Sequence, residues 1–212
     1  YIWEQTALNS GVKLLYHTMV IDAIHEKDRV VGVVAAAKNG LIRINANVII
    51  DASGDADVAA AAGVEYEGEA DGPVQAMTTT FRLINVHTKR AKKVSKDKLH
   101  SLMQKAAKSG KYNLPRKEGS VHVTPFEGVM ATNMVRVSDI DGTDPEQLTR
   151  AEIEGREQAF EYARFLRDYV PGYKNADISS LSTQIGIRES RRIFGEYRLS
   201  RDDVMSARKF ED

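Results

Sequence analysis

Apolar positions change their period several times along the chain, and each change marks an element. Residues 1–8 read as the tail of a helix, closed by Asn9-Ser10-Gly11 in the manner of a glycine C-cap. Residues 12–16 are short and apolar, which predicts a buried strand. Residues 20–25 predict a second strand and residues 30–36 a third, with the polar residues 26–29 as the turn between them. Lys38-Asn39-Gly40 is a hairpin signal, because Asn-Gly tolerates the positive φ of a type I′ turn, and residues 41–44 run back from it. Residues 20–44 together predict a three-stranded antiparallel meander.

The best organised passage follows. Val48-Ile49-Ile50 leads into Asp51-Ala52-Ser53-Gly54-Asp55 and then Ala56-Asp57-Val58-Ala59-Ala60-Ala61-Ala62-Gly63. It predicts an apolar strand that begins at Val48, a tight turn of small residues, an acidic helix start and a glycine stop. An acidic, glycine-containing stretch from Glu65 to Gly72 then ends at Pro73, and a domain crossing is expected there. Beyond it the pattern predicts a strand over 76–86 and a helix over 95–109 carrying Leu99, Leu102, Met103 and Ala106 on one face. Further strands are expected over 121–123 and 129–137. Asp144-Pro145-Glu146-Gln147 is a helix start, with Asp as N-cap and Pro in the first turn, and the helix should run to about residue 169. A last strand is expected over 181–195. The fold class is therefore α+β, with antiparallel sheets and helices.

Composition narrows the function classes. Lys+Arg and Asp+Glu number 30 each in 212 residues, so the formal net charge is zero. A basic field suited to nucleic acid or to an acidic membrane surface is not expected. No apolar run reaches the roughly 18–20 residues of a membrane span, and the first residues do not read as a basic-then-apolar signal peptide. Cysteine is absent, which removes disulfides, thiol catalysis and thiolate metal sites; a cytoplasmic enzyme is compatible with this. The histidines (His17, His25, His87, His100, His122) show no metal-ligand spacing. No Gly-x-Ser-x-Gly elbow supports nucleophilic hydrolysis. The basic run Lys89 to Lys98 reads as a solvated face.

The chemistry concentrates at residues 52–55. Small residues after a buried strand let a ligand approach the backbone, and a following helix would aim its N–H groups at the same place. Two other readings stand beside this one: Asp55 as a plain helix cap, and Asp55-Ala56-Asp57 as a carboxylate pair sharing a divalent cation.

The order of elements, with the wording Ala52-Ser53-Gly54-Asp55-Ala56-Asp57-Val58-Ala59, resembles FAD-dependent oxidoreductases related to glutathione reductase- and fumarate reductase-type flavoproteins. In that group a meander replaces a crossover helix, and the next strand ends near the flavin in Ala-Thr-Gly-Asp. Ser53 keeps the hydroxyl. A second resemblance is carried by Gly186-Ile187-Arg188-Glu189-Ser190-Arg191-Arg192, with Gly195-Glu196-Tyr197 and Leu199-Ser200-Arg201-Asp202-Asp203-Val204 after it. The family's Gly-x-Gly-x-x-Gly pyrophosphate loop is absent, which marks the sequence as an internal piece of a longer protein and predicts that it does not retain FAD alone. The resemblance implies a partial FAD-binding domain over 1–70 and a substrate domain over 71–212 whose end returns toward it. It implies Ala52, Ser53, Gly54 and Asp55 as cofactor-binding residues. On a strand over 184–194, alternate side chains share a face. Arg188 and Arg192 then become substrate candidates for a carboxylate or phosphate, with Glu189 and Arg191 paired on the opposite, apolar face. The parent would be an enzyme transferring hydride or electrons between FAD and a small organic substrate; the alternative is a non-catalytic ligand- or protein-binding module.

Overall fold

A computed structural model describes residues 1–68 and 71–211 of the chain. Helices and antiparallel sheets alternate, and the chain divides into two units: residues 1–67 with 191–212, and residues 68–190.

The first unit opens on α1 (Ile2–Asn9), stopped at Gly11 with φ +76°. The meander is present as β1 (Thr18–Glu26), β2 (Arg29–Ala37) and β3 (Gly40–Asn45), paired antiparallel in that order. Its second turn differs from the one expected. Positive φ falls on Gly40 alone, at +119°, and not on Asn39, so the hairpin is not a type I′ turn. At the first turn it is Lys27 that adopts positive φ, +55°.

Two expected strands are not formed in this unit. Residues 12–16 and 48–50 have no ladder partner among the described residues. A strand exists only through hydrogen bonds to a neighbour. Val48 and Ile50 are 78% and 85% exposed, so the apolar run signals a surface that nothing described covers. Next comes α2 (Asp57–Ala61), which lies against β1 and stops at Gly63. The two-residue strands β4 (Tyr66–Glu67) and β9 (Arg192–Ile193) pair antiparallel, and α6 (Arg201–Met205), not anticipated from the pattern, follows.

The second unit holds the apolar core. A four-stranded antiparallel sheet has the order β6-β7-β5-β8, formed by β5 (Phe81–Ile84), β6 (Ser120–Val123), β7 (Met130–Asn133) and β8 (Asp177–Leu181). The short α3 (Thr88–Ala91) precedes α4 (Lys96–Lys108), whose N-cap Ser95 accepts the Lys98 N–H and whose Leu99, Met103 and Ala106 are buried. Asp144 caps α5 (Pro145–Tyr169) through the N–H groups of Glu146 and Gln147, with Pro at its start. This long helix buries Ala159, Tyr162, Ala163, Phe165 and Leu166 into the core with Phe81, Leu83 and Met134. The basic residues Lys89, Arg90, Lys92, Lys93, Lys96 and Lys98 are all exposed.

The strand expected over 181–195 is largely absent. Only β8, one bridge between Gly186 and Thr78, and the two residues of β9 are extended and paired. The β5–β8 ladder ends at Leu181, and residues 187–191 have no ladder partner among the described residues. Strand alternation therefore does not sort the side chains of 184–194.

Candidate functional site

Residues 51–57 form a turn organised from beneath by Asp51. Its carboxylate accepts the Ser53 N–H at 3.0 Å and the Ala59 N–H at 2.9 Å. Burial pushes the Asp51 carboxyl up, but these N–H donors outweigh it and hold it below the ordinary carboxylate range. Ser53 Oγ in turn accepts the Asp57 N–H at 3.0 Å. Neither Asp55 nor Asp57 caps the helix: the N-cap position is Ala56, in the left-handed region at φ 55° and without a cap from its own side chain, and Ser53 and Asp51 bond the first N–H groups instead. At five residues, α2 is also too short for an argument from a helix dipole. What remains is the exposed backbone of Ala52, Ser53 and Gly54. Gly54 has φ +89°, and a Cβ placed there would meet nothing within 4 Å. The small-residue turn is open to solvent, a shape that suits close approach by a cofactor.

Arg191 reaches this turn across more than 130 residues of sequence. Its Nη1 donates to the Asp55 carbonyl at 2.9 Å and to Asp57 Oδ1 at 2.7 Å, and its guanidinium lies 5.5 Å from the Tyr66 ring centroid. The expected pairing with Glu189 is replaced: Glu189 accepts the Gln75 N–H at 2.9 Å, and Arg191 forms its ion pair with Asp57. Asp57 is thus tied to a cation of the chain itself. Among the described residues no group of three or more His, Asp or Glu is placed to hold a metal ion.

The two substrate candidates lie in different units. Arg192 Nε donates to Glu67 Oε1 at 2.7 Å across the β4–β9 pair, and Arg198 joins the same carboxylate. Arg188 is exposed, with no hydrogen bond or ion pair to its side chain among the described residues. It lines a cavity of about 300 Å³ in the second unit with Arg116 and Arg136, two arginines that sequence reasoning missed. They are far apart in sequence, and neither the irregular segment of Arg116 nor the strand expected over 129–137 signals a shared destination.

The motif that closes the resemblance is a structural network. Asp203 is buried; it accepts the Ser200 N–H at 2.8 Å in a capping box and the Tyr197 hydroxyl at 2.5 Å, with Arg208 at 3.0 Å. These donors, the Ser200 hydroxyl foremost, hold its carboxyl far below the ordinary range.

With this geometry in hand, the family of FAD dependent oxidoreductases matches residues 1–212, the whole chain. The chain belongs to the FAD dependent oxidoreductase family. FAD is therefore the cofactor of its parent, and the family is one of oxidoreductases. No curated protein matches the chain. Among solved structures it is similar to a triple mutant of the flavin-dependent brominase Bmp2, with 15% sequence identity and a TM-score of 0.46. The match covers 87% of this chain and 42% of the brominase, so the chain spans less than half of that protein. No helix among the described residues is long and apolar enough to cross a membrane.

Proposed function

We propose that the parent protein transfers hydride or electrons between FAD and a small organic substrate. On this reading the first unit supplies part of the flavin-binding surface and the second the substrate-bearing part. The observation that supports it is the open turn at Ala52, Ser53, Gly54 and Asp55, which Asp51 and Arg191 hold from two sides. Arg191, from the second stretch that resembles flavoproteins, thus bonds to the first. FAD supplies the redox chemistry when bound. The chain's own contribution at the turn is positional: exposed backbone without side-chain bulk admits a flat ligand. Arg188 is the side chain best placed to hold a charged substrate group, since it faces no competing partner among the described residues. For Arg192 to serve a substrate, the ligand would have to share the guanidinium with Glu67.

The full-length protein is expected to show a flavin visible spectrum as purified, and Asp55→Ala to weaken FAD affinity roughly ten-fold or more, the scale of one charge-assisted hydrogen bond. The FAD affinity should fall by more than the stability of the apoprotein, since Asp55 is not the N-cap of α2. A colourless full-length protein that takes up no added FAD, or an Asp55→Ala variant of unaltered affinity, overturns the reading.

A further inference from the structure

We propose that the cavity lined by Arg116, Arg136 and Arg188 in the second unit is an oxyanion site, taking the carboxylate or phosphate of a small organic molecule. The cavity, of about 300 Å³, is also lined by Gln75, Thr78 and Asn133, and among the described residues no carboxylate lines it. That volume lies at the lower end of small-molecule sites.

Three features distinguish it from a chance gathering of surface arginines. The first is the charge balance. Arg116 Nη1 donates to the neutral Asn133 Oδ1 at 2.9 Å, while its Nε is buried with no hydrogen-bond partner. Arg136 has only an exposed pair with Glu118 at 3.5 Å, and such pairs contribute little. Arg188 has no pair among the described residues, and the Glu189 carboxylate beside the cavity accepts the N–H of the lining residue Gln75 at 2.9 Å.

The second feature is how two of the arginines are held. Tyr162 and Gln158, one turn apart on α5, are both buried. The Tyr162 hydroxyl donates to the Arg116 carbonyl at 2.7 Å and accepts its N–H at 2.8 Å. Gln158 does the same for Arg136, donating to its carbonyl at 2.8 Å and accepting its N–H at 3.0 Å. Buried side chains of a core helix thus hold the backbone of both residues. The third feature is chemical: guanidinium forks match the paired oxygens of carboxylate and phosphate.

This proposal rests on the reading of the second unit as the substrate-bearing part, and it names the substrate class. Its test is binding to the full-length protein at constant ionic strength, titrated calorimetrically with malonate and separately with inorganic phosphate. Saturable binding of one probe is expected, malonate marking a carboxylate site and phosphate a phosphate site. Arg136→Gln and Arg188→Gln each should weaken that binding about ten-fold. Both side chains are exposed, so their melting temperatures should match the wild type. Absence of saturable binding by either probe at millimolar concentrations overturns the proposal. So does binding that both variants retain in full. The visible spectrum of the same preparations reports flavin loading, so failure of the flavin reading is seen separately from failure of the anion site.

Discussion

Asp203 shows how one carboxylate can carry a local structure. The Ser200 hydroxyl, the Tyr197 hydroxyl, the Ser200 N–H and Arg208 all donate to it, and they close α6 and the segment before it. Its folded-state pKa is depressed well below the unfolded value of about 3.9. A depressed carboxylate stabilises the fold fully above the unfolded value, and the contribution is lost as pH falls toward the folded one. Asp203→Asn should therefore lower the melting temperature near neutral pH, with the difference from wild type shrinking as pH drops below about 4. A difference that stays constant from pH 7 to pH 3 would remove the ionised carboxylate from the account. Arg191 teaches the complementary lesson. Its neighbour in sequence, Glu189, suggested an ion pair, but the local backbone is not a strand and Arg191 bonds to Asp57 and Asp55 instead.

Among the elements, the helices with full start signals formed where expected. Ser95 caps α4 and Asp144 caps α5, each with the side-chain bond to backbone N–H that the residue type provides. Beyond the end of α5, at Val170, the chain passes close to α3. Gly172 has φ +98°, its carbonyl accepts the His87 N–H at 2.8 Å, and a Cβ there would lie 2.7 Å from the Ala91 nitrogen. Gly172→Ala adds an unfavourable backbone conformation to a clash with the backbone of α3. It should destabilise the protein by roughly 2 kcal/mol or more. Chemical denaturation of wild type and variant checks this; a loss within about 0.5 kcal/mol, as for an ordinary surface change, would show that α3 yields easily.

At the scale of the whole molecule, burial is divided unevenly. Every member of the apolar core cluster, from Met77 to Ile185, belongs to the second unit, whereas Ala23 and Ala35 are the buried apolar residues described in the first. The second unit is also one continuous stretch of chain, residues 68–190, of ordinary domain size. Excised, that stretch should fold alone and melt in a single cooperative transition, seen by circular dichroism and calorimetry. The first unit, excised as 1–67 joined to 191–212, should not, because its exposed Val48, Ile50, Met19 and Trp3 leave little to offset conformational entropy. A non-cooperative 68–190, or a cooperative first unit, would contradict the division.

The meander, the two capped helices, the glycine-stopped α2 and the family resemblance were all legible in the sequence, because each depends on local chemistry. Alternation, capping side chains, turn residues and a small-residue motif act within a few positions of one another. The outcome at 12–16, 48–50 and 181–195 was not legible. An apolar run states that a segment can be buried, while a strand needs a neighbour that the run itself cannot name. The candidate site divides the same way. Ala52, Ser53, Gly54 and Asp55 stand out because they are consecutive. The grouping of Arg116, Arg136 and Arg188 around one cavity, held by Gln158 and Tyr162, depends on α5 lying beside segments remote in sequence. Such convergence carries no periodic signal, and only the packing of the chain decides it.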